Sequence, residues 1–477
     1  MKIIILGAGQ VGSSVAESLI SEENDVTVVD QNERLLADLQ NRLDLRVVTG
    51  NAAHPSILAQ AGAEDADLLV AVTQSDQTNL VACKVAASLF NIPSRIARLR
   101  SHDFLEEPRL LSRENFAVDF ALCPEQIVTD YIVRLVQFPE ALQVLDFVDG
   151  RVSLVAVRAL REGLTVGKPI KTLREHLPLD MDARIVAIFR NGKAIAPTGE
   201  AQILPGDEVF VLAAAEHIRP VMREIRRMMK PVRRVMIAGG GNIGCRVAAA
   251  LEGDYEVKVI ENQPLQAAFI ADRLKDTLVL EGSCTDEELL EQENIGEMDM
   301  FLALTNDDEN NIMAATLAKR MGCKRVVALI NRRAYVDMAQ GGPVDICLSP
   351  AYVSIGALLA RIRRGDVAAV HSLRRGAAEA LDMVAHGDAD NSHVVGRRIA
   401  DIKWPEGVTV AALVRDLETV ASLEVRDDGT VDRRLGRVEI AHGDSVIQSG
   451  DHVILFCVKK KLVKKVEQLF QVGFHFL

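Results

Sequence analysis

The chain contains the same strand-and-glycine motif twice. "IIILGAGQVG" at 3–12 recurs as "VMIAGGGNIG" at 235–244, so the glycines of the two copies are separated by 232 positions. The likeness continues far beyond the glycines, because "DADLLVAVTQSDQTNLVAC" at 65–83 has its counterpart in "EMDMFLALTNDDENNIMAA" at 297–315. A repeat of this length and constant spacing predicts two equivalent domains in one chain.

Each copy alternates short apolar strands with helices of about 10 to 15 residues, such as Gln10–Leu19 and Gln77–Phe90. In the first copy the strands are expected near 2–6, 25–30, 45–48, 67–71, 94–98 and 119–122. In the second copy they are expected near 234–238, 256–260, 277–279, 299–303, 325–329 and 344–347. This alternation predicts a parallel, doubly wound sheet with helices on both faces.

A different pattern follows each copy. A helix opened by proline comes first, "CPEQIVTDYIVRLVQF" from Cys123 and "SPAYVSIGALLARIRR" from Ser349. Short hairpin-type strands come next, with the Asn191-Gly192 turn in the first half and "DDGT" in the second. "PGDEVFV" at 205–211 and "SGDHVIL" at 449–455 match best.

The predicted fold class is therefore α/β, with two doubly wound Rossmann-type parallel-sheet domains, each followed by a small α+β domain. The expected boundaries are 1–123, 124–228, 229–348 and 349–477. The basic linker "REIRRMMKPVRR" at 223–234 is interpreted as a last helix running into the next strand.

Composition excludes several classes. A net charge of -12 and a single Trp argue against binding nucleic acid through a basic or aromatic surface. No apolar run approaches the roughly 18 residues of a membrane helix, and the chain starts directly with a strand, so we expect a cytosolic or peripheral protein. The seven cysteines lack C-x-x-C spacing and are expected to be reduced, structural thiols.

The glycines have the roles of a dinucleotide cradle. The first allows the tight turn, the second lets a pyrophosphate approach the backbone, and the third lets helix pack on strand. These positions are Gly7, Gly9 and Gly12 in the first copy, and Gly239, Gly241 and Gly244 in the second. The helix starts, at Gln10–Val11 and Asn242–Ile243, then present backbone N–H groups to the anion.

An acid ends the second strand of each copy, Asp30 and Glu261, where it can accept from ribose hydroxyls. Such an acid selects NAD or an adenosine nucleotide over NADP, whose 2′-phosphate it would repel. Small polar residues end the fourth strands: Thr73 and Gln74, and Thr305 and Asn306. Asn51 and Ser283 are candidates for an adenine or ribose contact.

The second copy differs where "ARLR" (97–100) becomes "ALIN" (328–331). This change removes the guanidinium groups of Arg98 and Arg100, which could hold a phosphate. Nucleotide binding is therefore expected in the first copy. In the second copy, binding and a purely structural role both stay open.

No catalytic equipment accompanies the cradles. His102 is more simply an exposed loop histidine, and the histidines lack metal-ligand spacing. Asp307, Asp308 and Glu309 lie at a helix start, where acids are favoured without any cation. The chain is therefore expected to be no enzyme and to convert ligand occupancy into a change of shape. The alternatives are an NAD-dependent oxidoreductase and, less favoured because of the acidic charge, a redox-sensing transcription factor.

Taken together, "LGAGQVG" with its terminal "VVD", the proline-led helix and "PGDEVFV", all repeated, resemble the Trk family of potassium-uptake regulators, which carry two RCK/KTN units per chain. The resemblance implies small domains of the RCK-C type and a tetrameric ring, peripheral to the cytoplasmic face of the inner membrane. It implies a potassium-transporting Trk membrane subunit of the TrkH/TrkG type as partner. NAD(H) and ATP or ADP are the implied regulatory ligands.

The resemblance also places nucleotide contacts on particular residues. In the first copy these are Gly7, Ala8, Gly9, Gln10, Val11, Gly12, Asp30, Thr73, Gln74 and Arg98. In the second copy they are Gly239, Gly240, Gly241, Asn242, Ile243 and Glu261. Arg361, Arg363 and Arg364, and the run Lys459–Lys461, are candidates for touching the partner, although solvated helix faces explain them more simply.

Overall fold

The computed structural model describes residues 1–21, 24–178, 180–339, 342–362, 367–373, 378–415 and 437–472. The chain forms two compact units, one of residues 1–132 and 233–362 and the other of residues 133–232 and 363–477. We call them the lobe unit and the small-domain unit. Among the described residues, no helix has the length and apolar character needed to cross a membrane.

The first lobe is built on a six-stranded parallel sheet with the strand order β3-β2-β1-β4-β5-β6. Its strands are β1 (Lys2–Leu6), β2 (Asp25–Asp30), β3 (Arg46–Thr49), β4 (Leu68–Ala71), β5 (Ser94–Arg98) and β6 (Phe120–Leu122). Its helices are α1 (Gln10–Ile20), α2 (Glu33–Arg42), α3 (Pro55–Gln60), α4 (Asp76–Leu89), α5 (His102–Leu105) and, after the sheet, α6 (Pro124–Gln137).

The second lobe repeats this architecture with the strand order β14-β13-β12-β15-β16-β17. Its strands are β12 (Arg234–Ala238), β13 (Glu256–Glu261), β14 (Leu278–Glu281), β15 (Met300–Ala303), β16 (Val326–Leu329) and β17 (Ile346–Leu348). Its helices are α9 (Asn242–Leu251), α10 (Pro264–Arg273), α11 (Glu287–Gln292), α12 (Asp308–Arg320), α13 (Arg333–Ala339) and α14 (Pro350–Ile362).

The sequence prediction of the lobes is confirmed. All twelve expected strands are present, and none differs by more than two residues at either end. The central strands are buried on both faces, as a sheet covered by helices requires, and Leu6, Ala71 and Ala97 lie side by side in the core of the first lobe.

The helices that follow the two sheets are shared between the lobes. Helix α14, which follows the second sheet, packs against α1 and β6 of the first lobe. There the Arg361 guanidinium lies 4.9 Å from the centre of the Phe120 ring. In the reverse direction, Gln126 of α6 accepts a hydrogen bond from Arg246 of α9. The order of four domains along the chain remains our proposal, because each of these helices contacts the opposite lobe.

The small-domain unit contains two antiparallel sheets, β10-β9-β11-β8-β7 and β18-β19-β22-β20-β21. The first comprises β7 (Ala141–Phe147), β8 (Val152–Arg158), β9 (Ala183–Arg190), β10 (Lys193–Ile195) and β11 (Glu208–Ala214), with helices α7 (Leu173–His176) and α8 (Ile218–Ile225). The second comprises β18 (Val367–Leu373), β19 (Ala378–Val384), β20 (Val408–Arg415), β21 (Arg437–Ile440) and β22 (His452–Cys457), with α15 (Val463–Phe470).

The hairpin prediction is confirmed at β9 and β10. Asn191 and Gly192 join these strands with φ of 49° and 81°, the left-handed geometry of a two-residue hairpin turn. The expected "DDGT" turn lies outside the described residues.

The basic linker at 223–234 begins in the last helix of its domain and ends at β12, as predicted, but the residues between the two elements are not helical. Helix α8 ends at Ile225, and no helix follows before β12. The carbonyl of Glu140 accepts from Arg226 at 3.1 Å, and its Oε1 accepts from the Met229 amide at 2.6 Å. Pro231, which has no N–H to donate within a helix, also disfavours a helix in this segment.

The two small domains meet at β7 and β18. The ring of His371 lies within 3.1 Å of the Asp146 carbonyl oxygen through Nε2, and it packs edge-on against Phe147 at 4.8 Å. Burial, together with the charge of Arg134, lowers the pKa of His371 to about 4. The folded protein therefore holds this imidazole in its neutral form.

Candidate functional site

The first glycine of each motif makes the turn from strand to helix. Gly7 has φ of 107° and Gly239 has φ of 101°, values that side chains disfavour. A methyl group on Gly7 would also lie 3.1 Å from the backbone of Thr73, and one on Gly239 would lie 3.0 Å from Thr305. The turn therefore presses against the end of the fourth strand in both lobes.

The third glycine allows the helix to approach the strand. A methyl group on Gly12 would lie 1.8 Å from the carbonyl oxygen of Gly7, and the equivalent distance from Gly244 to Gly239 is 1.9 Å. Both are far inside the contact distance of carbon and oxygen. This position therefore requires glycine for packing alone, as the motif predicts.

The second glycine has no such structural reason. Gly9 and Gly241 have φ of -67° and -70°, which any residue adopts, and a methyl group on either would meet nothing within 4 Å. Both residues precede a helix whose first turn receives no side-chain hydrogen bond at its N-cap. Open space therefore lies directly in front of free helical N–H groups, which is the arrangement that binds a phosphate.

The acids at the ends of β2 and β13 hold the cradle backbone. Asp30 accepts from the Ala8 amide at 2.6 Å and from the Asn32 amide at 2.8 Å. Glu261 accepts in the same way from Gly240 at 2.7 Å and from Gln263 at 2.9 Å. A carboxylate oxygen has a second lone pair, so each acid can still accept from a ribose hydroxyl.

The two acids differ in their access to solvent. Asp30 is half-buried, whereas Glu261 is 8% exposed. In the second lobe, the side chain of Gln266 donates to the Gly240 carbonyl at 2.7 Å, and Ile270 lies directly against Gly240. Helix α10 therefore covers the acid of the second lobe more closely than α2 covers that of the first.

Threonine at the end of the fourth strand is held by a buried asparagine. Asn79, which is fully buried, accepts from the Thr73 amide at 3.0 Å and hydroxyl at 2.7 Å, and it donates to the Arg98 carbonyl at 2.9 Å. Asn311 makes the same bonds to Thr305 and Leu329. Neither asparagine was predicted, although both stand at the same place in the repeat. Gln74 lies next to Thr73 and is exposed.

The acids at the start of α12 also serve the backbone. Asp308 is buried and accepts from the amides of Asn331 and Arg332, and Asp307 caps the helix through the Asn310 amide. Asp76 has the role of Asp308 in the first lobe, since it accepts from the amides of Arg100 and Ser101. Over the described part of the chain, no three metal-binding side chains come together.

Arg98 lies at the carboxyl end of β5, where the sequence places it, but its guanidinium is engaged by Glu125 of α6. The Nη2 atom of Arg98 lies 2.8 Å from Glu125 Oε1, and Arg100 Nε lies 3.3 Å from the same oxygen. The side chains of Arg98 and Glu125 are 12% and 9% exposed. Glu125 was not predicted, because only the folded chain brings α6 against β5.

A further arginine reaches this place from the second lobe. Arg246 of α9 donates to the side chain of Gln126 at 3.0 Å and to the carbonyl of Arg100 at 3.1 Å. The matching position in the first lobe is Ser14. The carboxyl end of β5 in the first lobe is therefore bordered by three arginines, and that of β16 in the second lobe by Leu329 and Asn331.

The remaining candidate residues from the sequence either stabilise local turns or lie outside the described residues. Asn51 accepts from the Ala53 amide, and Ser283 pairs with Thr285, so both side chains stabilise turns. The side chain of His102 and all of Arg363 and Arg364 lie outside the described residues. Lys459–Lys461 lies at the turn that precedes α15.

All seven cysteines are free thiols. Burial raises the pKa of Cys83 to about 12 and the pKa values of Cys323 and Cys347 to about 11. These thiols therefore stay protonated at neutral pH and are poor nucleophiles.

Sequence comparison matches the chain to two domain families. The TrkA-N domain matches residues 3–116 and 235–350, and the TrkA-C domain matches residues 154–226. The Trk system potassium uptake protein TrkA of Vibrio alginolyticus is 51% identical over 478 residues and that of Haemophilus influenzae is 45% identical, each match covering 100% of both chains.

Solved structures share the fold. The GsuK RCK domain superposes with a TM-score of 0.60 at 18% identity and covers 98% of this chain and 94% of its own. The GsuK channel bound to NAD superposes with a TM-score of 0.59, also at 18% identity, over 98% of this chain and 78% of that one. At this identity the likeness establishes architecture alone.

Proposed function

Since the chain belongs to the TrkA family of Trk system potassium uptake proteins, we propose that it is the nucleotide-sensing regulatory subunit of a Trk-type potassium uptake system. It binds NAD(H) and ADP or ATP and controls potassium flux through a membrane subunit of the TrkH/TrkG type. In this proposal, four copies assemble as a ring at the cytoplasmic face of the inner membrane. The family is one of uptake proteins and not of enzymes, which leaves the oxidoreductase alternative without support.

The single observation that carries nucleotide binding is the second glycine. No contact among the described residues requires glycine at Gly9 or Gly241, since φ is ordinary and the space beside each is open. A ligand that must approach the backbone closely explains the absence of a side chain at both. The acids Asp30 and Glu261, on the neighbouring strands, then receive the ribose.

Control of flux follows from occupancy. A ligand shifts an equilibrium between two shapes only by the ratio of its affinities for them. A ratio of about 10- to 100-fold provides about 1.4 to 2.7 kcal/mol per site, and several sites in one ring multiply that ratio. The lobes suit this role because α6 and α14 each contact the opposite lobe.

The test uses Gly9→Ala and Gly241→Ala, singly and together. Alanine fits the backbone at both positions, so folding should be preserved, while the methyl group enters the space of the pyrophosphate. We expect each substitution to weaken NADH and ADP binding to its own lobe at least about tenfold, as measured by calorimetric titration. Gly253→Ala, at another exposed glycine with open space, is the matched control.

Flux is measured in proteoliposomes that hold the membrane subunit and the purified chain. Potassium uptake should respond to nucleotide with the wild-type chain and lose that response with the double variant. Unchanged nucleotide affinity in the double variant would remove the site assignment. Flux that ignores saturating nucleotide would remove the regulatory role.

A further inference from the structure

The geometry of the first lobe places Arg98 and Arg100 on the path of a nucleotide's outer phosphates. Asp30 fixes the ribose at the end of β2, and Gly9 receives the next phosphates at β1. The chain of phosphates then runs over β4 towards β5, about 10 Å from β1 at the usual strand spacing. Asn79 ties the end of β4 to the end of β5 through the carbonyls of Thr73 and Arg98, so these strand ends form one continuous edge.

Glu125 holds these two arginines by a single oxygen. Its Oε1 lies 2.8 Å from Arg98 and 3.3 Å from Arg100. Its Oε2 and the Nε atom of Arg98 are buried and have no hydrogen-bond partner among the described residues. Two positive charges therefore face one negative charge, and hydrogen-bonding capacity is unused on both sides. The excess of guanidinium over carboxylate, and the unused Nε–H donor of Arg98, favour a further anion there.

From this arrangement we propose that Glu125 is an internal competitor of the nucleotide phosphates in the first lobe. Its carboxylate occupies the guanidinium groups of Arg98 and Arg100, and the outer phosphate of ADP or ATP binds by replacing it there. The inference rests on the proposed nucleotide site and adds a ligand class: nucleotides that carry free phosphate groups compete with Glu125, whereas adenosine and NADH do not.

The second lobe supports this interpretation because it lacks both partners. Leu329 stands at the position of Arg98, and Ala351 stands at that of Glu125. The carboxylate is absent from the lobe that has no arginine for it to neutralise. A competitor is needed only where there is an anion subsite to compete for.

Displacement of Glu125 by a phosphate would also affect the contact between the two lobes. Gln126, the next residue of α6, and the Arg100 carbonyl both accept from Arg246 of the second lobe. A shift of Glu125 away from Arg98 therefore moves the start of α6, which Arg246 of the second lobe contacts directly. Phosphate binding in the first cradle is in this way connected to the contact between the lobes.

The test measures affinities for adenosine, ADP, ATP and NADH in EDTA, with Gly241→Ala present throughout to silence the second lobe. Glu125→Gln should tighten ADP and ATP binding about tenfold, because the arginines lose their internal anion. Adenosine and NADH should bind unchanged, since neither has a free terminal phosphate. Glu107→Gln, which neutralises the exposed partner of Arg109, is the matched control and should change nothing.

A second variant protects the test from a folding defect. Arg98→Leu with Glu125→Ala copies the pair of the second lobe, which folds without these charges, and it should lower the ratio of ADP affinity to adenosine affinity at least about tenfold. Repeating the Glu125→Gln titrations with Mg²⁺ separates competition from metal binding.

If Glu125→Gln bound ADP more weakly than wild type, the inference would be overturned. Weaker binding in Mg²⁺ alone would identify Glu125 as a metal ligand, and weaker binding in both media would identify it as a residue that stabilises the site. Equal ADP affinity of the wild-type and Glu125→Gln chains would overturn it as well, while leaving the nucleotide site intact. If the wild-type chain bound neither adenosine nor ADP, the proposed site and the inference would fall together.

Discussion

The two lobes agree wherever a residue holds the backbone, and they differ in the charged side chains around the carboxyl ends of β5 and β16. The hydroxyl of Thr73 lies 2.7 Å from Asn79, and that of Thr305 lies 2.7 Å from Asn311. Around the carboxyl end of β5, by contrast, the arginines and Glu125 of the first lobe are replaced by neutral residues in the second. The repeat therefore keeps the residues that hold the backbone but not the charged residues at this end of the sheet.

This difference shows which parts of a cradle the fold itself requires. Close packing of α1 on β1, and of α9 on β12, leaves no choice at the third glycine. The charge of the cleft depends on side chains that pair with one another and do not support the sheet. These side chains can therefore change without lowering the stability of the sheet. Two experiments test this division in the lobes, and a third compares the two small domains; they follow in order of decreasing expected effect.

The strongest test of the common frame is the third glycine. Gly12→Ala and Gly244→Ala should each lower the free energy of unfolding by about 3 kcal/mol or more, because the added methyl group overlaps a carbonyl oxygen in the adjoining turn. Urea unfolding followed by circular dichroism measures this. Gly9→Ala should stay within about 1 kcal/mol of wild type. A lobe that tolerates alanine at the third glycine would break the equivalence.

The buried asparagines give the second test. Asn79→Ala and Asn311→Ala each remove the partner of one backbone amide and two backbone carbonyls, which should cost about 2 kcal/mol in either lobe. Amide hydrogen exchange at Thr73 and Thr305 should accelerate in the corresponding variant. Asn115→Ala, at an exposed asparagine, is the control. If only one lobe were destabilised, the asparagine would not be part of a shared frame.

The smallest effect concerns the small domains, which differ at their meeting point. His371 of the second stands where the first has Leu145. Its pKa is lowered from 6.5 to about 4, mainly by burial and also by Arg134. The unfolded chain therefore binds an additional proton between these pH values, and stability falls as the pH drops through this window. The slope is at most about 1.4 kcal/mol per pH unit.

His371→Leu should remove that slope while leaving the stability above pH 6.5 close to wild type, because there the imidazole is neutral in both states. Urea unfolding of both chains at about pH 7.5 and about pH 5 compares the slopes. Parallel curves would show that another group accounts for the acid sensitivity of this unit.

The sequence predicted the lobes well because most of their strands contain a short apolar run bounded by turn or polar residues. Runs such as "KIIIL" and "DLLVA" have few alternatives in an α/β fold. The cradle was equally accessible, since its three glycines and its acid have separate physical reasons at fixed spacing. Asn79 could have been found, because the repeat has an asparagine at both places, at the fourth position of the helix that follows the fourth strand.

Other features of the site could not be predicted from the sequence alone. Glu125 is the second residue of a proline-led helix, where an acid is favoured by the helix dipole alone, so nothing marks it as a partner of Arg98. Arg246 is one basic residue among many on helix surfaces. The path of residues 226–233 depends on Glu140, which is 86 positions from Arg226 in the sequence.

The sharing of α6 and α14 between the lobes has an evolutionary consequence. A half-chain with one lobe would have to borrow its covering helix from an identical copy, so any mutation in the cradle would strike both members of the pair at once. Fusion of the two copies in a single gene ends that constraint. One lobe can then be retuned for a new metabolite while its neighbour keeps the original preference, so that a single polypeptide can compare two signals.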